Sequence, residues 1–120
     1  MRPENYRRLL DELASDYPDA ASTVDATRTL VKIPAVRLPK GCVPAQTAVL
    51  VVIEESQPAP QLYVKQLPKL PNGSAPRSTS PVQFGGESWH TFSFSQPWDE
   101  DRHTAVQLVE GRLRRFALHE

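Results

Sequence analysis

The side chains of this chain that could do covalent chemistry are few. Cys42 is the only cysteine, and it follows Lys40-Gly41, where a neighbouring ammonium could lower a thiol pKa modestly. His90 could reach it only through the fold, so the plain reading is an incidental loop thiol. A lone cysteine also excludes an intramolecular disulfide and a zinc site of paired cysteines. His90, His103 and His119 include no pair at the i, i+4 spacing of a helical metal site, and each reads as a surface or packing histidine. Ser78, Ser80, Ser93 and Ser95 lack a Gly-x-Ser-x-Gly elbow. Glu54-Glu55 ends a strand pattern, and Asp99-Glu100-Asp101 suits the start of a helix. Gly85-Gly86 lacks the following Gly or Lys of a phosphate loop. These patterns give no catalytic residue, no metal ligand and no cofactor. What stands out is Trp89, Phe92, Phe94 and Trp98, four large aromatics within ten residues. Such a cluster is either a lid on the core or the anchor set of a protein-binding surface.

The elements that must position these residues follow from periodicity. Residues 3–17 carry Tyr6, Leu9, Leu10, Leu13 and Tyr17 at helical spacing, with Pro3 suiting the first turn and Pro18 discouraging continuation. Residues 27–38 predict a strand, with Val31 and Ile33 on one face and Arg28, Leu30 and Lys32 on the other; Pro34 makes it an edge strand or one that bulges there. The continuous apolar run in residues 47–54 predicts a central strand buried on both faces. Residues 62–66 form a third strand in meander order, and residues 89–94 a fourth. Alternation places His90 on the Phe92 face, opposite Trp89. Residues 67–87, dense in Pro, Ser and Gly, read as a long functional loop rather than a linker. Residues 99–118 predict a helix with Ala105, Leu108, Val109, Arg112, Leu113 and Phe116 inward, Arg112 contributing its aliphatic stem.

Composition narrows the class. The 120 residues hold 14 basic and 14 acidic side chains, so nothing draws the chain toward a phosphate backbone, and nucleic acid is not an expected partner. With 39% hydrophobic residues it can build a core, yet its longest apolar run is too short to span a membrane. The start lacks the apolar stretch of a signal peptide, which makes a cytoplasmic location the expectation. Twelve prolines are twice the average usage of about 5%, and most fall at strand edges, turns and the long loop. The expected architecture is a single α+β domain over residues 1–120: an N-terminal helix, a four-stranded antiparallel meander, a long Pro-rich loop and a C-terminal helix.

That order of elements resembles the ubiquitin-conjugating-enzyme superfamily, in particular a compact prokaryotic branch. The resemblance rests on Leu38-Pro39-Lys40-Gly41, the Pro58-x-Pro60 break before Leu62-Tyr63-Val64, the loop Leu70-Pro71-Asn72-Gly73-Ser74-Ala75-Pro76, and Trp89-x-x-Phe92-Ser93-x-Ser95-x-x-Trp98 leading into the last helix. It covers most of the chain from about residue 30. It implies a thioester-forming cysteine after the sheet, usually preceded by His-Pro-Asn, but residues 67–98 hold neither, and Cys42 lies two strands too early. Ser95 stands where the prokaryotic branch would carry a histidine. The resemblance therefore implies a pseudoenzyme of a bacterial ubiquitin-like system that binds proteins, with Trp89, His90, Phe92, Ser95 and Trp98 on the binding surface. Its partner would be a ubiquitin-like or activating-enzyme-like protein. The alternative is an active transferase that uses Cys42, or one whose cysteine has been replaced by Ser93 or Ser95.

Overall fold

The computed structural model describes residues 1–93 and 97–117. An N-terminal helix α1 (Pro3–Asp16) precedes strands β1 (Ala21–Asp25), β2 (Arg28–Arg37), β3 (Gln46–Glu54), β4 (Gln61–Val64), β5 (Ser80–Phe84) and β6 (Glu87–Thr91), and the chain closes with helix α2 (Ala105–Leu113) and a 3-10 turn Arg114–Ala117. The strands form one antiparallel sheet in the order β1-β2-β3-β4-β6-β5. The architecture is α+β, as the sequence predicts, but the sheet has six strands rather than four. No helix of the described residues is long and apolar enough to cross a membrane.

Both helices lie on one face of the sheet. Leu9 and Leu13 of α1 and Ala105, Leu108, Val109 and Leu113 of α2 share a core with Val31, Ile33, Val49, Val51, Ile53, Leu62 and Val64. The strand residues in that core fall in register, Val31 opposite Val51 opposite Leu62, and Ile33 opposite Val49 opposite Val64. Fully burying aliphatic side chains of this size contributes roughly 1.5–3 kcal/mol each. The β2–β3 register shifts between Ile33 and Val36, so the bulge expected at Pro34 is present. β2 is nevertheless an inner strand, because β1 pairs along its other side.

Three further expectations are corrected. Residues 80–84 form β5 rather than loop, and Gly85-Gly86, with φ of 56° and 80°, makes the two-residue turn that joins Phe84 to Glu87. The last helix begins at Ala105, not Asp99: Thr104 caps it, its hydroxyl accepting from Gln107 N while the Gln107 side chain accepts from Thr104 N. Glu12 of α1 adds a second cap by accepting from Ala105 N at 2.9 Å. The acidic triplet faces α1 instead, with Glu100 and Asp101 accepting from Asn5 Nδ2, both at 2.9 Å. Arg112 buries its whole side chain, not its stem alone. It is 2% exposed, donates to the Pro60 carbonyl, and burial pulls its pKa down to about 10.

Candidate functional site

The face of the sheet turned away from the helices is curled. Ladder register lines up Ala21, Lys32, Leu50 and Tyr63 in one row across it, and Thr23, Leu30, Val52 and Gln61 in the next. The β5–β6 hairpin bends over these rows, since β6 is joined to β4 at a single pair, Val64 with His90. Trp89 points into the curl and closes a second small core with Leu50 and Val52, flanked by Leu30, Tyr63, Val82 and Phe84.

Charges pin the hairpin to the inner strands. Lys32 Nζ lies 2.9 Å from Glu87 Oε1 and Lys65 Nζ 4.0 Å from the same oxygen. Both ammonium groups also lie over the Trp89 ring, at 5.9 and 5.1 Å from its centroid, and the Arg28 guanidinium lies 5.1 Å from that of Phe84. The hydrogen bond from Lys32 holds the Glu87 carboxyl below its ordinary pKa. Tyr63, 4.9 Å from Phe84 between ring centroids, has its phenol pushed up by burial, with Arg28 opposing. Between the hairpin turn and β1 the curl leaves a cavity of about 260 Å³, with Leu30, Leu50, Phe84 and Trp89 among its walls and Lys32, Glu87 and Thr23 around it.

β1 borders this cavity and is itself an edge of the sheet. All five of its residues are exposed, Val24 at 75%. Asp25 and Arg28 flank the two-residue turn Ala26-Thr27, where Ala26 takes φ 56°. Such a turn is closed by a hydrogen-bonded pair, and antiparallel alternation then directs the main chain of Thr23 toward β2 and that of Ser22 and Val24 outward. Natural sheets blunt exposed edges with proline, lysine or bulges. The opposite edge, β5, carries Pro81; β1 has none of these devices.

Among the described residues singled out in the sequence, Trp89 and Phe92 belong to different cores. Trp89 is 1% exposed in the second core. Phe92 is 5% exposed in the helix-side core, its ring 4.7 Å from that of Phe116. His90 is half-buried opposite Val64, on the Phe92 side as alternation predicts. Trp98 is half-buried against the helix-side core, 5.4 Å from the His103 ring, and its buried Nε1 has no hydrogen-bond partner among the described residues. Ser95, Phe94 and His119 lie outside the described residues. Ser93 is exposed, and its carbonyl accepts from Arg115 Nε. Cys42 is 5% exposed, its sulfur 3.9 Å from the Phe116 carbonyl, and burial pushes its thiol pKa up. That lowers the thiolate fraction on which nucleophilicity depends. Among the described residues no three His, Cys, Asp or Glu side chains gather where they could hold a metal ion.

The features that sequence reasoning missed are the β1 edge and the cavity beside it. A wholly exposed strand has no hydrophobic alternation to reveal it, and the available signal was only the β-branched Thr23-Val24 pair ahead of a second β-branched run. The chain matches no protein-family model, no curated protein and no solved structure.

Proposed function

We propose that this domain is a protein-binding module that takes an extended segment of its partner along β1, adding a strand to the sheet. The observation that carries this reading is the open edge: five consecutive exposed residues, the main chain of Ser22 and Val24 directed outward, and no proline, lysine or bulge. Main-chain hydrogen bonds give such strand addition its affinity, and side-chain sites beside the edge give it selectivity. Trp89 and Phe92 are occupied within the protein's own cores, which favours the edge over these two side chains as the docking surface. The resemblance of the sequence to conjugating enzymes implies, as partner, a ubiquitin-like or activating-enzyme-like protein of a bacterial conjugation system. An α1 helix followed by an antiparallel meander supports that placement, and the burial of Cys42 favours a binding role over thioester transfer.

A photo-crosslinking residue placed at Val24, with one at Gln83 on the opposite edge as control, tests this in cells that express the chain. The expected result is a discrete adduct from position 24 that disappears when Ser22→Pro removes an outward donor. Equal adducts from both positions, or adducts indifferent to Ser22→Pro, refute edge docking. A reductant-cleavable adduct on Cys42 refutes the non-catalytic role.

A further inference from the structure

We infer that the segment received by β1 presents a bulky apolar side chain to the cavity beside it, and an acidic side chain two residues away to Lys32. This rests on the strand-addition reading and names the partner sequence that the edge selects. Side chains alternate along a strand, so those of an added segment opposite Thr23 and Ala21 emerge on the cavity face, about 4.8 Å beyond β1. Ala21 and Thr23 are small, and they form the cavity's wall on the β1 side. A larger side chain from the next strand can therefore lean over Thr23 toward Leu30, its ladder neighbour, and the Phe84 ring at the cavity mouth. At about 260 Å³ the space lies just under the range of roughly 300–1,000 Å³ for small-molecule sites, which suits one side chain better than a cofactor.

Charge fixes the second position. Lys32 on the cavity rim and Lys65 behind it both reach the single carboxylate of Glu87, so this ion cluster carries two cations against one anion. Lys32 is the direct neighbour of Ala21 in the ladder, whereas Leu30 is the neighbour of Thr23. The apolar residue therefore sits opposite Thr23 and the acidic one opposite Ala21. A second copy of this chain fits poorly: the antiparallel self-pairings that match outward residues set Ala21, Thr23 or Asp25 opposite Thr23, none of them bulky and apolar, and leave the cavity unfilled.

The test selects a displayed library of random octapeptides on the whole domain, then measures synthetic peptides of the resulting consensus by fluorescence anisotropy. For a segment that pairs antiparallel with β1, as every neighbouring pair of this sheet does, the expected consensus is apolar-x-acidic. Alanine at its apolar position should weaken binding by about tenfold or more, and Thr23→Phe, which fills the cavity from β1, should weaken the parent peptide similarly. Lys32→Gln should lower affinity and flatten its salt dependence. A consensus without this pair, or affinity unchanged by Thr23→Phe while Ser22→Pro abolishes it, overturns the cavity inference and leaves edge docking standing. Binding that survives Ser22→Pro overturns both. Self-association through β1, seen by sedimentation and blocked by Ser22→Pro, replaces the inferred partner with a second copy.

Discussion

Trp89 sits where an aromatic-rich sequence suggests a docking anchor, but its 1% exposure makes it part of the protein's own architecture. Its truncation removes both the second core and the platform under Lys32 and Lys65. Trp89→Ala should cost about 3–5 kcal/mol in urea unfolding, whereas loss of an exposed anchor would leave the midpoint almost unchanged. Cys42 gives a complementary prediction. Burial raises its thiol above the ordinary 9.0, so the native protein should react slowly with a disulfide reagent and the unfolded protein at once. Because the folded pKa is the higher one, its contribution to stability is complete below pH 9 and declines as pH rises further. Glu87 has the opposite sign. Its folded pKa lies below the ordinary 4.5, so its stabilising effect is complete above that value and fades as pH falls through the lower folded one. Glu87→Gln should therefore flatten the acid limb of a stability-versus-pH curve; an unchanged limb would show that the Lys32 pair contributes nothing.

Among the elements, α2 shows how a local signal can mislead. Asp99-Glu100-Asp101 is a plausible acidic first turn, but Glu100 and Asp101 are engaged by Arg2 and Asn5, and the helix waits for Thr104. Thr104→Ala should lower stability by about 1 kcal/mol, while Asp99→Ala should leave the helix boundary unmoved, both checked by thermal unfolding and amide chemical shifts. α1 and β3 were legible because their burial repeats at 3.6 residues or runs unbroken through a central strand. Leu9 and Leu13 are buried as the spacing requires, and Val49, Leu50, Val51, Val52 and Ile53 are buried on both faces. β5 was hidden by proline-dense composition, since Pro81 is tolerable only because the strand lies at an edge. Nothing in β1 is buried, so nothing in its sequence had to alternate.

At the scale of the molecule, the site exists only through curling. Phe84 and Glu87 come from one end of the chain and Arg28 and Lys32 from another; no sequence spacing brings them together. What does so is the single pair Val64–His90, by which the hairpin leaves the plane of β4. The sheet is thus continuous in hydrogen bonding but mechanically two ribbons, a four-stranded one backed by the helices across the main core and a two-stranded one held by Trp89, Phe84 and the two ion pairs of Glu87. Hydrogen exchange should separate them: amides of Val82, Phe84 and Trp89 exchanging together through a sub-global opening, and those of Val49, Val51 and Ile53 only on global unfolding. Uniform protection across both would mean that the joint is rigid. If the ribbons do open separately, the hairpin's equilibrium becomes a fixed tax on every ligand that needs the curl closed, and tightening it would raise affinity without adding a single contact to the partner.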